Sequence, residues 1–194
     1  MPSYIPYLLA LGALSTSVAA DNIYTYTQGG CTGPAFMFKD IDHNICAVTI
    51  TSNATNIADA IDRGITTVHS AKLEVQETGK KHFIGWDEGP ESNTDGLLQC
   101  GTIIKNVPVK KRETCIEGGL HGVSWTEPGD NKKRQAGDVY SCTGTIEPNA
   151  VFCEGKHYDM DKASAEDKEK LKELARKGGA VQAGLEKYLF TPAM

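Results

Sequence analysis

The 194-residue chain predicts an α+β protein, a mostly antiparallel β core braced by disulfides, with one short internal helix and a C-terminal amphipathic helix. Three observations carry that prediction. Short runs rich in aromatic and β-branched residues recur along the chain, separated by Gly, Pro, Asn and Asp clusters. Six cysteines, the first at Cys31, form an even set. From Ser164 onward the composition becomes rich in Ala, Glu, Lys and Leu with helical spacing.

The first 20 residues read as a secretory signal peptide: an apolar run over Tyr7–Leu14, then small residues ending at Ala20. An apolar run of that length is too short to span a membrane, and no later stretch approaches about 18 consecutive apolar residues. The expected division is 1–20 signal peptide, 21–158 disulfide-braced β-rich domain, and 159–194 charged helical extension. The mature part, about 174 residues, is long enough to bury one core.

Asn22–Thr27 alternates and reads as the first strand. Ala35–Phe38 and Ala47–Thr51 flank the polar loop Asp40–Asn44, with Cys31 and Cys46 at the outer ends of the unit. Ile57, Ala58, Ala60 and Ile61 have helical spacing after polar capping residues, and Gly64 supplies a stop, which predicts a helix over 56–63. Val68–Gln76 is a strand with His69, Ala71, Leu73 and Val75 on one face, and with His82–Trp86 it predicts a hairpin. Leu97–Asn106 and Pro108–Ile116 read as a further strand pair, Gly122–Thr126 as a short strand anchored by Trp125, and Asp138–Thr145 with Ala150–Cys153 as a last hairpin. Pairing each cysteine with its neighbour inside these units predicts Cys31–Cys46, Cys100–Cys115 and Cys142–Cys153. Ser164 and Asp167 have the spacing of a capping box before a helix over 164–177. Its stripe of Leu171, Leu174, Ala175 and Gly178 is narrow, which predicts that this helix docks only lightly.

The formal net charge of −5 argues against a nucleic-acid partner, since phosphate binding needs a basic face. No two cysteines form Cys-x-x-Cys, no histidine pair has metal-ligand spacing, and neither a nucleophile elbow nor a phosphate loop is present. The expectation is therefore no cofactor and no metal. The acidic loop Asp87–Asp95 holds several carboxylates, the raw material of a calcium site or of paired-carboxylate hydrolysis, and equally of a solvated loop. Among the histidines at 43, 69, 82, 121 and 157, His121 has the most suggestive surroundings, with Glu117 and Asp87 as its candidate catalytic companions. Trp86 and Trp125 could stack on sugar rings, but on strand-like segments core packing is the better expectation. Asn53-Ala54-Thr55 is an N-glycosylation sequon. Lys132-Lys133-Arg134 lies in the most loop-like internal stretch, where cleavage after Arg134 by a kexin-type protease is feasible; Lys110-Lys111-Arg112 reads as part of a strand that would resist.

The signal peptide, six cysteines, Lys-Lys-Arg run and mid-sized β-rich mature chain together resemble the small cysteine-containing secreted proteins of filamentous fungi, many of them candidate effectors. The order of Cys31, Cys46, helix Asn56–Arg63, hairpin Val68–Trp86 and Cys100 is similar to the small α/β-sandwich of killer-toxin-like secreted proteins, over about residues 31–105. This resemblance implies extracellular action on a host, a competitor or a cell wall. The expected function is a non-enzymatic, monomeric secreted interaction protein of effector or toxin type, whose partner is an extracellular protein or glycan. The alternative is a secreted hydrolase or glycan-binding protein using the acidic loop 87–95 with His82 or His121, or Trp86 and Trp125.

The processing sites set a direct expectation. Intact mass of the secreted protein should correspond to a chain beginning at Asp21, and comparison before and after reduction reveals any cut after Arg134. A single species of unchanged mass under both conditions would leave Lys132–Arg134 as an uncut basic turn.

Overall fold

The computed structural model describes residues 21–48, 68–87, 100–127 and 142–192. Twelve strands over these residues form two sheets. The larger has seven strands in the order β12-β11-β10-β2-β1-β4-β7: β1 (Asn22–Tyr26), β2 (Ala35–Phe38), β4 (Val68–Glu74), β7 (Glu113–Leu120), β10 (Ala150–Cys153), β11 (Lys156–Asp159) and β12 (Leu189–Phe190). The smaller has five in the order β6-β5-β8-β3-β9: β3 (Ile45–Val48), β5 (His82–Asp87), β6 (Thr102–Pro108), β8 (Gly122–Thr126) and β9 (Gly144–Ile146). Every pairing is antiparallel except β3 with β9. The mostly antiparallel β character thus agrees with the expectation, as does the C-terminal helix α1 (Ala165–Lys177).

Alternation along the strands builds three apolar layers. Ile23, Phe36, Phe38, Ala71, Leu73, Ile116 and Val151 of the larger sheet meet Ala47, Phe83, Val123 and Trp125 of the smaller one in the main core. Tyr24, Tyr26, Ala35, Met37 and Ala150 gather separately, on the alternate residues of the same large-sheet strands. Cys46, Val48, Ile84, Trp86, Cys100 and Ile103 form the third cluster, on the smaller sheet. Close approach of the layers demands a glycine at one point. A Cβ on Gly85 of β5 would lie 2.8 Å from Leu120 Cδ2 and 3.1 Å from Ile116 Cδ1 of β7.

The strands are where the pattern puts them, but their partners are not. Each of the four expected pairs has one strand in each sheet: β2 and β3, β4 and β5, β6 and β7, β9 and β10. Period-2 alternation identifies the residues that share a face and is silent about the neighbouring strand, and a chain of a few residues can cross between stacked sheets as readily as it can turn back. Strands consecutive in the chain pair antiparallel at β1–β2, β5–β6 and β10–β11, and β11 pairs with β12 across the intervening helix. In the β10–β11 turn, Glu154 and Gly155 take φ of 51° and 75°, the left-handed pair that suits the twist of a tight hairpin.

The disulfide pairs change with the topology. Cys31 is joined to Cys115 and Cys46 to Cys100, with Cα separations of 6.1 and 6.2 Å, in place of Cys31–Cys46 and Cys100–Cys115. Cys142 and Cys153 remain thiols, so the expected Cys142–Cys153 bond is also overturned. The two bonds span sequence separations of 84 and 54, and by loop-closure entropy each restricts the unfolded chain by about 4–5 kcal/mol.

Three smaller expectations need correction. His69 is exposed although Ala71, Leu73 and Val75 point inward, because the pairing with β7 shifts between Val68 and Ser70. Lys110–Arg112 lies in the exposed connection between β6 and β7 and is not part of a strand. The C-terminal helix docks firmly, since Leu171 and Ala175 are fully buried with Leu174, Leu185 and Tyr188 in the main core. Its start follows from the sequence: Ser164 Oγ accepts a hydrogen bond from the Asp167 amide, 3.2 Å. Asp167 also accepts from the Tyr188 hydroxyl at 2.8 Å and pairs with Lys187 at 3.1 Å, which holds its carboxyl well below the usual range and fastens the helix to the chain end. The helix ends at Gly178, with φ of 69° and its amide on the Leu174 carbonyl. The expected helix 56–63, the sequon Asn53 and the cleavage site Arg134 lie outside the described residues.

A narrow stripe can still be indispensable, and Leu171→Ala measures this one. Removing a fully buried leucine should cost about 2–5 kcal/mol, read as a lower denaturant midpoint with an unchanged slope; a loss under about 0.5 kcal/mol, the scale of a surface substitution, would restore the light-docking picture.

Candidate functional site

The residues singled out by sequence are only partly brought together. His121 sits between β7 and β8, where the chain passes from the larger sheet to the smaller, and its amide donates to the Trp86 carbonyl at 2.9 Å. That connection sets His121 Nε2 3.5 Å from Asp87 Oδ1 at the end of β5. Glu117, the third of the trio, is exposed on β7 opposite Ser70, and the His121–Asp87 contact is made without it. The remainder of the acidic loop, 88–95, is outside the described residues. His82 Nδ1 lies 2.7 Å from Asn106 Oδ1 on the neighbouring strand.

Trp86 and Trp125 are core residues, as packing on strands predicts. Trp86 is 0 % exposed and donates its indole N–H to Ser124 Oγ at 2.9 Å; Trp125 donates to the Ile41 carbonyl at 2.9 Å. Neither face is available to a sugar ring. The face of Trp125 is taken by Lys81, whose ammonium lies 4.4 Å from the ring centroid and 2.6 Å from the fully buried Asp21 carboxylate.

A different place, which motif reading missed, gathers more chemistry. A groove of about 540 Å³ is lined by Tyr24 of β1, Glu74 of β4, Gly155, Lys156 and His157 of the β10–β11 hairpin, and the terminal run Leu189–Pro192. Tyr24 forms its floor. The phenol donates to Glu74 Oε2 at 3.1 Å and lies 3.2 Å from His157 Nε2. A phenol has one proton, so with that proton on Glu74 the second contact is His157 Nε2–H donating to the phenol oxygen. The neutral imidazole then keeps Nδ1 as an acceptor. Burial, with Lys72 adding to it and Glu74 opposing it, pushes the His157 imidazole below its ordinary pKa. Burial and the Glu74 carboxylate push the Tyr24 phenol far above its ordinary value, so it stays protonated.

Aromatic rings hold His157 in place. Its ring centroid lies 5.0 Å from Phe152 and 5.7 Å from Phe190, while Phe152 meets Tyr24 edge-on at 5.9 Å. Lys72, paired with Glu113 at 3.3 Å, lies 4.8 Å over the Tyr24 ring. Leu189, 44 % exposed, sits at the rim. Tyr24 and His157 are separated by 133 positions and Tyr24 and Glu74 by 50; no local spacing could have announced them. The available signal was the Glu154-Gly155 turn, which marks a strand carrying His157.

The architecture defines a two-sheet β protein cross-linked by disulfides, with a polar-floored groove on its larger sheet. The model of the ARB_05566_N N-terminal domain matches residues 22–149, and the chain belongs to that family. The match covers β1 to β9, so Tyr24 and Glu74 lie within it, whereas His157 and Phe190 come from the chain that follows. Comparisons with curated proteins and with solved structures find no match.

Because the native His157 binds its proton less readily than the unfolded chain does, its contribution to stability is full above about pH 6.5 and is lost as pH falls through the lowered native value. Unfolding free energies of the wild type and His157→Gln, measured from about pH 7.5 to 5 across the ordinary histidine pKa, should converge toward acid pH. Parallel curves over that range would refute the shift.

Proposed function

We propose that this chain is a secreted, non-enzymatic interaction protein of effector or toxin type that acts outside the cell, with the Tyr24–Glu74–His157 groove as its contact site for wall polysaccharide. The observation that carries the reading is the groove's composition: an apolar rim of Leu189, Phe190 and Pro192 above a floor of interlocked phenol, carboxylate and imidazole. A sugar ring has that same division, an apolar face of C–H groups and an equatorial belt of hydroxyls. Tyr24, itself buried, protonated and hydrogen-bonded to two partners, fixes the Glu74 carboxylate and the His157 imidazole that line the groove. Disulfides fit an oxidising compartment, and among the described residues no helix is long and apolar enough to cross a membrane.

The alternative reading, a secreted hydrolase, draws on one observation, the His121–Asp87 contact at 3.5 Å beside the start of the acidic loop. An imidazole oriented by a carboxylate is the pairing a general base uses. Its signature is hydrolysis abolished by His121→Ala.

Pull-down of the purified protein on chitin, glucan and plant-wall polysaccharides tests the proposal. Glu74→Gln should weaken retention at least about tenfold, the scale of a lost hydrogen bond to a charged group, and Phe190→Ala should weaken it several-fold, roughly the scale of a lost ring contact, while His121→Ala leaves it unchanged. Retention indifferent to both groove variants, or retention on none of the polysaccharides, would refute it; polysaccharide hydrolysis that disappears with His121→Ala would install the alternative.

A further inference from the structure

Beneath the outer layer of the smaller sheet, three sulfurs converge. The Sγ atoms of Cys46, Cys100 and Cys142 lie within 4.8 Å of one another. Two of them share a disulfide and the third is a thiol. Cys46 is fully buried in the middle of β3 and Cys100 nearly so, whereas Cys142 is half-buried, just ahead of β9. The parallel pairing of β3 with β9 holds the thiol there, for Cys46 stands opposite Thr145, and the Thr143 amide donates to the Asn44 carbonyl at 3.0 Å. Trp86, Ile84 and Ile103 pack around the disulfide and shield it from solvent nucleophiles, leaving Cys142 as the neighbouring nucleophile.

We propose that Cys46, Cys100 and Cys142 form a single intramolecular thiol–disulfide exchange site, at which the cross-link passes between alternative partners. The Cys142 thiol loses its proton to water, and the thiolate attacks one sulfur of the Cys46–Cys100 bond. A new S–S bond forms to the attacked sulfur, the old bond breaks, and the other sulfur leaves with the electron pair and takes up a proton. The count of disulfides and thiols is unchanged, so no external oxidant or reductant is required. Attack on Cys46 moves the staple from the segment ahead of β6 to the segment ahead of β9 and releases Cys100; attack on Cys100 joins those two segments and releases Cys46. Attack on Cys46 thus transfers the tether on β3 from Cys100 to Cys142, whereas attack on Cys100 leaves β3 with none. The buried thiol of Cys153, in the larger sheet and pushed above its ordinary pKa by burial, takes no part.

The experiment is non-reducing peptide mapping of the full secreted chain after incubation at neutral pH and blocking with N-ethylmaleimide. Wild type should yield Cys46–Cys100 together with a bond containing Cys142, with maleimide on the cysteine released. Cys142→Ser should yield Cys46–Cys100 alone, and Cys100→Ser should form Cys46–Cys142. The Cys31–Cys115 bond, on the other sheet, reports in each variant that the fold has formed. Maleimide confined to Cys142 among the three in wild type, with Cys46 and Cys142 both labelled in Cys100→Ser, would overturn the proposal, as would a Cys142–Cys153 bond.

Discussion

Strand β1 has no free side, and the arrangement of the molecule follows from satisfying it. Its edges pair with β2 and β4 along its length, so its backbone groups are consumed in the ladder. Ile23 enters the main core, while Tyr24 and Tyr26 enter the separate aromatic layer. A strand buried on both faces needs cover on both, which is why the larger sheet carries the smaller sheet and α1 against one apolar set and a second apolar cluster on the other residues. Asp21, immediately before it, adds the last tie: its carboxylate meets Lys81, its carbonyl accepts the Ile41 amide, and Lys81 rests on Trp125 of the opposite sheet. A buried ion pair of this kind contributes little net stability over an apolar replacement, but removing one partner leaves an uncompensated charge at a cost of roughly 3–5 kcal/mol.

Much of the secondary structure could be read directly. Gly122–Thr126 and Ala150–Cys153 were bounded as found, and Ser164 marked the helix start. The misreadings have one source. Local pattern does not specify partners: each candidate strand pair divides between the two sheets, and the disulfides expected within those pairs form elsewhere. The helix misled for a related reason: Leu171, Leu174 and Ala175 are few, but depth of burial depends on the surface that receives them, and Val151, Phe36 and Tyr158 are invisible from the helix's own sequence. β12 is two residues long and β11 only four, Lys156–Asp159, so neither offers a periodic signal.

The candidate site was hidden for the same physical reason. Tyr24, Glu74 and His157 each look ordinary where they stand, and become a constellation only because the outer residues of β1, β4 and β11 fall on one face of a sheet whose strand order departs from chain order. His121 and Asp87 are legible as candidates because one immediately precedes the short strand with Trp125 and the other opens the acidic loop. The buried tryptophans mark the limit of composition as evidence: an indole is equally suited to a core or to a sugar, and only its surroundings distinguish the two.

The position of β2 has a consequence for how the molecule can be made. It lies between β1, its neighbour in the chain, and β10, which pairs Ala150 with Met37 across more than a hundred intervening residues. The first hairpin can form as soon as it is synthesised, yet one of its edges has no strand to meet until the chain is almost complete. Half-emerged chains therefore carry an open, apolar strand edge of the sort that recruits other chains, and closure of long loops makes this a slow topology. During that interval the cysteines already synthesised, Cys31 and Cys46, await partners 84 and 54 residues ahead. Efficient production should accordingly depend on chaperones and on disulfide isomerisation more than on the final stability of the fold.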